Sequence, residues 1–401
     1  MRIRRRAPVL ALGIVCFAAA CAAPAADSAP QGAVNVRRIE WEKIKLDDGA
    51  YEAAGVFDVN NDGKPDIVCG AYWYEAPNWT KHKLCDVRAE GEYYDDFSAI
   101  ALDVNGDGYT DIITGGWWGG TLVWRENPQG RPVEWKTHEI DVCGNIETTR
   151  AWDVDGDGEP EIVPNTPGAP LVFYKLVRDA DGRGTGEFRK YQVSQEASGH
   201  GLGFGDVNGT GRGALVVHNG WWKPPDDPLS GKWTFHQEFE LGSASVPIIV
   251  ADVNSDGVNE IIVGQAHGYG LDYYTQSADA SGKRTWIRHP IDPFFSQYHE
   301  LHWVDIDGDG HCELLTGNRY RAHCGQEPGE TDVVGLFCFK WNGEGFTKQV
   351  IDFGKVPGAS GTGIYMSVAD VDGDGRPDIV APGKEGLYLF RNLGPESAGD
   401  K

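Results

Sequence analysis

Eleven histidines are spread along the 401 residues, and their spacing sorts them before any fold is assumed. His82, His138, His236 and His289 each stand three residues after a tryptophan, a recurring W-x-x-H that belongs to architecture. His311 sits inside an acidic loop. The other six, His200, His218, His267, His299, His302 and His323, follow no repeat, and an imidazole near its neutral pKa can move protons. Two of them lie in QYHELHWVDIDGDG (297–310). H-E-L-H is not the zinc-protease H-E-x-x-H, which sets two histidines on one helical face. On a strand, residues three apart point to opposite faces, so His299 and His302 are not expected to share a metal. His299 and His200 each precede the first aspartate of an acidic loop, Asp305 or Asp206, by six residues. They are positional equivalents and the leading candidates for base and acid.

The elements that must position them are repeated. Seven segments align without gaps: DVNNDGKPDIV (58–68), DVNGDGYTDII (103–113), DVDGDGEPEIV (153–163), DVNGTGRGALV (206–216), DVNSDGVNEII (252–262), DIDGDGHCELL (305–315) and DVDGDGRPDIV (370–380). Each interval also holds short alternating apolar runs, such as TLVWRE (121–126) and VEWKTHEI (133–140), and no helical period. About four short strands per repeat is the content of a propeller blade, whose sheet buries its faces only against neighbouring blades. The sequence therefore predicts an all-β, seven-bladed propeller over residues 34–394. The early strand VNVRRIEWEKIKL (34–46) is expected to supply the fourth strand of the last blade and close the ring.

These repeats resemble the FG-GAP/VCBS family, whose propellers include the integrin α-subunit head. Within each copy, side-chain oxygens stand at positions 1, 3, 5 and 9 with glycine at 6, like the start of an EF-hand loop. The expected calcium ligands are Asp58, Asn60, Asp62 and Asp66; Asp103, Asn105, Asp107 and Asp111; Asp153, Asp155, Asp157 and Glu161; Asp252, Asn254, Asp256 and Glu260; Asp305, Asp307, Asp309 and Glu313; and Asp370, Asp372, Asp374 and Asp378. The fourth copy has Thr210 and Ala214 at positions 5 and 9 and should bind no ion. The competing reading is an aspartate-stabilised turn with no ion. Either way these loops are scaffold.

If the acidic loops share one face, the residues before each inner strand and after each second strand share the other. That places His200, His218, His267, His299 and His323 together with Trp117, Trp118, Glu147, Arg150, Trp221, Arg319, Tyr320, Arg321, Tyr365 and Lys384 around a central funnel. Such a funnel suits a polar, ring-shaped ligand: tryptophans stack on sugar rings, and Arg or Lys holds carboxylate or hydroxyl groups. A more distant resemblance, to the propeller domain of aldos-2-ulose dehydratase/isomerase, rests on TLVWRENPQGRPVEW (121–135) and YHELHWVDIDGDG (298–310). It implies elimination of water from keto-sugars. The first expectation is thus a sugar lyase or dehydratase acting by β-elimination. His299 and His200 would be base and acid, Tyr365 or Tyr320 would assist the leaving oxygen, and Arg319, Arg321 or Lys384 would stabilise enolate-like charge. The alternative is a non-catalytic, calcium-dependent module that binds glycans or a protein partner.

Composition bounds these readings. A formal charge of −24 disfavours nucleic acid and anionic membrane as partners and suits a chain of cation-binding loops. Arg2, Arg4, Arg5 and Arg6 before the apolar run 7–21 read as an export signal within residues 1–27, with Cys21 in a lipobox-like setting. Residues 395–401 form a short tail, and no other segment could span a membrane. The six later cysteines, Cys69, Cys85, Cys143, Cys312, Cys324 and Cys338, fit either disulfides in an oxidising compartment or buried thiols.

Overall fold

The computed structural model describes residues 37–396; the export signal and its cleavage region lie outside them. The described chain holds strands and loops and no helix, arranged as seven four-stranded antiparallel sheets. These are the seven expected blades. In blade 1 the strands are Ala54–Phe57, Asp66–Cys69, Tyr72–Glu75 and Thr80–Lys83, in sequential order from the innermost outward. Blade 7 departs from this pattern in the expected way. Its outermost strand is Ile39–Asp47, paired antiparallel with Leu387–Pro395. The inner strands touch across blades: Ala54 donates to the Tyr365 carbonyl at 2.9 Å, joining the first blade to the last.

Two contacts repeat around the ring and explain the W-x-x-H histidines. Each such histidine stands directly across from an aromatic residue on the neighbouring third strand and stacks on it. The pairs are Trp73–His82 at 4.3 Å, Trp124–His138 at 4.2 Å, Trp221–His236 at 4.3 Å and Tyr273–His289 at 4.7 Å. These flat cross-strand pairs cover the outer half of each sheet.

The second contact is a strap between acidic loops. The Asn127 amide bonds the carbonyls of Thr110 in its own loop and Val59 in the previous blade's loop, both at 2.9 Å. Asn392 does the same to Pro377 and Ile306, and Gln276 to Asn259 and Val207. Neighbouring acidic loops are therefore tied side by side on one face. Gly203 and Gly205 let the inner strands of blades 4 and 5 approach: a Cβ on Gly203 would lie 2.2 Å from the Ile248 carbonyl oxygen. Of the six later cysteines, Cys69, Cys85, Cys143, Cys324 and Cys338 carry free thiols, so the disulfide reading does not hold for them.

The acid at position 9 does a different job from the one its spacing suggests. Asp111 is fully buried; one oxygen accepts the Val104 N–H at 2.9 Å and the other the Asn127 N–H at 2.7 Å. Replacing it by alanine strands two buried N–H groups. Asp111→Ala should cost about 2–4 kcal/mol, read as an earlier urea midpoint. Measured in chelator, so that no loop ion contributes, Asp107→Ala, in the exposed part of the loop, should shift it far less. Equal midpoints for the two would remove the anchoring role.

Candidate functional site

The acidic loops form the first face. In every copy the position-1 carboxylate accepts backbone N–H groups of its own turn: Asp58 takes those of Asp62 and Gly63 at 3.1 and 2.7 Å, and Asp206 those of Thr210 and Gly211 at 3.1 and 2.6 Å. Both oxygens of Asp66, Asp111 and Asp378 are taken by backbone N–H groups. Each spends one oxygen on the N–H of its own loop's second residue and the other at the end of the third strand. Burial pushes their carboxyls up, Asp66 to about 6, Asp111 to about 7 and Asp378 to about 6.

The copies with a third aspartate behave alike. In blades 3, 6 and 7 position 3 is Asp155, Asp307 or Asp372, and there the acids come close enough together to hold a metal ion. Each of these blades also carries a basic residue on the adjoining strand. The Lys175 ammonium lies 2.6 Å from Asp155, 2.8 Å from Asp157 and 2.7 Å from Glu161. Lys340 contacts Asp307, Asp309 at 2.7 Å and Glu313 at 2.9 Å, and Arg391 contacts Asp372. Calcium in blades 3 or 6 would have to displace an ammonium ion, a poor fit. In blades 1, 2 and 5 position 3 is Asn60, Asn105 or Asn254, and the matching strand position is Glu75, Glu126 or Thr275.

The opposite face gathers the unpatterned histidines. His200 and His299 precede the inner strands of blades 4 and 6, Leu202–Gly205 and Leu301–Val304. His267 follows the strand Glu260–Gly264, and His323 lies in the long connection between Glu313–Gly317 and Val334–Trp341. Ring centroids are 4.5 Å apart for His200–His267, 5.5 Å for His267–His299, 6.0 Å for His200–His299 and 4.6 Å for His267–His323. One ring nitrogen of each of His200, His267 and His299 lies within 4.8 Å of the others. Their Nδ1 atoms are engaged elsewhere: His200 with the Ala244 carbonyl at 2.7 Å, His267 with the Glu327 carboxylate at 3.0 Å and His299 with the Gln297 carbonyl at 3.4 Å. Nε2 of His200 and of His299 is buried without a hydrogen-bond partner.

A buried charge network lies under the imidazoles. Glu147 Oε1 is 3.5 Å from His200 Nε2, 3.9 Å from His299 Nε2 and 3.2 Å from Arg319, whose guanidinium also holds Glu52 at 2.8 Å. Burial raises the Glu147 carboxyl, but His200, Arg319 and His267 outweigh it and hold the group well below the usual carboxylate range. Burial, reinforced by the Arg319 charge, drives His299 well below the ordinary imidazole value. Only 2% of His299 is exposed, so it is not the open funnel-mouth base the spacing suggested. The cluster reaches solvent through His267 and His323, whose side chains are 22% and 33% exposed.

The remaining expected residues divide. Arg150 is buried in a pair with Glu300 and lies 4.5 Å from the Tyr365 ring, so each is occupied by the other. His302 also turns to Glu300, at 2.8 Å, away from His299 as expected. Arg321 pairs with Glu92 on the small hairpin Ala89–Tyr94. Lys384 bonds the Arg321 carbonyl at 2.6 Å and lies 3.9 Å over Tyr93; together they wall the funnel. Trp118 packs on Tyr93 at 4.6 Å on this wall, with Trp117 half-buried beside it. Tyr320 is half-buried, and no hydrogen bond or ring contact joins it to the cluster. Trp221 is not a ligand residue: it is 1% exposed, stacked on His236 inside blade 4. His218 lies in a separate groove. Spacing missed Glu52, although it too stands six residues before its aspartate, Asp58. It also missed Glu327, which binds His267 and His323 (2.9 Å) from inside the long blade-6 connection.

The FG-GAP-like repeat family matches residues 103–163 and 305–381. The chain is a seven-bladed propeller of FG-GAP-like repeats. No curated protein matches it. Among solved structures, an Agrocybe aegerita lectin that recognises non-reducing terminal N-acetylglucosamine is 16% identical, covering 75% of this chain and 80% of its own, at a TM-score of 0.46. The BBS1N–ARL6DN complex is 12% identical over 90% of this propeller and 99% of the matched chain, at 0.49. At these values neither carries an argument about function. Among the described residues no helix is long and apolar enough to cross a membrane.

Arg319 is the one cation between two buried carboxylates. Removing it in Arg319→Ala leaves Glu52 with only the Lys384 ammonium at 4.0 Å and Glu147 with only imidazoles, at a cost of about 3–5 kcal/mol, with Arg319→Lys recovering part of the loss in a denaturant titration. A neutral Arg319→Ala substitution would mean that water already screens Glu52 and Glu147.

Proposed function

We propose that the histidine face is the active site of a carbohydrate lyase or dehydratase working by β-elimination, built around a divalent transition-metal ion held by His200, His267 and His299. The observation that carries this reading is the orientation of the three rings. Each Nδ1 is tied to an oxygen, which leaves Nε2 as the lone-pair donor, and two of these Nε2 atoms are buried with no partner. Imidazole nitrogen suits a zinc-class ion rather than calcium. Bound there, such an ion would polarise a substrate carbonyl.

The chain's own residues supply the rest. Buried His299 fits a holding role. His323 is the more exposed imidazole and is oriented by Glu327, so it is the better placed group to take the proton from the carbon next to the carbonyl. As the C–H pair forms the double bond, the β-oxygen leaves and takes that proton back from the protonated His323, giving water or an alcohol. Trp117 and Trp118 offer stacking surface, and Lys384 a positive charge, at the wall.

The test combines metal analysis with a screen of keto-sugars, anhydro-sugars and uronate oligosaccharides, following absorbance of an unsaturated product. His299→Gln and His267→Ala should lose about one equivalent of a transition metal and the activity. His323→Ala should keep the metal and lose at least a hundredfold in rate. Full activity in metal-free His299→Gln protein would sink the assignment.

We propose structural calcium in blades 1, 2 and 5, where no basic side chain shares the loop from the adjoining strand. Chelation should lower the melting temperature, and calcium should restore it. Asp62→Ala should blunt that response, whereas Asp309→Ala should not. A melting temperature indifferent to chelator would leave the loops as ion-free turns.

A further inference from the structure

We infer that the groove between blades 3 and 4 is a second saccharide subsite, which takes a neutral sugar unit of a substrate whose reacting unit lies at the histidine cluster. This rests on the carbohydrate reading above.

The groove exists because the outer strands of the two blades differ in length. Blade 3 ends in a strand of 14 residues, Gly184–Ala197, whereas blade 4 ends in one of three, Thr234–His236. The short strand pairs only Trp221–Lys223 of its neighbour, and the groove opens beside the longer blade-3 strand, whose residues 192–197 line it. The resulting cavity of about 570 Å³ falls in the range of small-molecule sites.

Its lining matches a hydroxylated ring with an apolar face. Trp222 and Phe235, 4.9 Å apart and both half-buried, form an aromatic wall. Facing it are the neutral hydrogen-bonding groups of Gln195, Ser198, His218 and Asn219. The charged side chains in the lining are Glu196 and Lys232, one of each sign, so no net charge selects an anion. His218 Nδ1 is buried without a partner. A Cβ on Gly199 would lie 2.4 Å from the His218 ring, so glycine is what lets that ring pack against the chain here. Gly199 is also the residue before His200, whose ring belongs to the cluster. The Gly199 end of the groove is therefore one residue from the proposed reaction centre.

The experiment titrates the full chain with neutral hexose and N-acetylhexosamine oligosaccharides of one to four units, followed by tryptophan fluorescence and calorimetry. Affinity should rise at least tenfold from monosaccharide to trisaccharide. Trp222→Ala should abolish that gain. Asn219→Ala and Gln195→Ala, at partly or fully exposed positions, should each reduce it several-fold and guard against a misfolded tryptophan variant. Length-independent affinity, or Trp222→Ala and Asn219→Ala both binding like the parent, would overturn the subsite. The two proposals fail separately. Chain-length binding lost in Trp222→Ala but conversion indifferent to His323→Ala would leave the groove and remove the lyase. Conversion that needs His323 with silent groove variants would do the reverse.

Discussion

A buried carboxylate that holds two backbone N–H groups is the constraint on which the ring depends. In blades 1, 2 and 7 the position-9 aspartate joins the acidic turn to the end of the third strand. In blades 3 and 6 the longer glutamate keeps one oxygen on the turn and gives the other to a lysine. Burial makes each of these acids costly to ionise, and the N–H bonds and nearby cations offset that cost. Fixed turns then present the Asn127, Asn392 and Gln276 straps with a neighbour to hold. One face becomes rigid, and the opposite ends of the inner strands are free to carry side chains that share no repeat.

Those ends meet because the strands converge on an axis. Positions six residues before the aspartates supply Glu52, Glu147, His200 and His299, brought round one guanidinium from blade 6. Residues as much as 267 apart in sequence become neighbours at the top of one channel. The electrostatics are divided accordingly: carboxylates and Arg319 balance below, and imidazoles with free nitrogen lone pairs lie above.

Much of this was legible in the spacing. Seven gapless copies implied seven blades, an orphan early strand implied ring closure, and six-residue offsets paired His200 with His299. Charge was legible too, after the fact: an aspartate at loop position 3 appears only where Lys175, Lys340 or Arg391 stands on the adjoining strand. Trp221 misled because adjacent residues on a strand point to opposite faces: Trp221 packs inside the blade on His236, and only Trp222 lines the groove. Glu327 and Glu330 escaped notice because the blade-6 connection has no counterpart among the repeats, and only packing brings it over His267 and His323. Burial of His299 could not be read either; sequence offset marks a height along the axis, not depth below a loop.

Ring closure by the first strand also sets the orientation of the whole molecule. Ile39 pairs with Pro395, and Glu396 donates to the Arg38 carbonyl, so the two ends of the described chain lie side by side. They emerge where Arg376 of the last acidic loop bonds the Asn392 carbonyl. Residues 37 and 396 therefore both lie on the acid-loop side. A tether at either end would hold the disc with its histidine face turned away from the point of attachment, as a dish is held by its back.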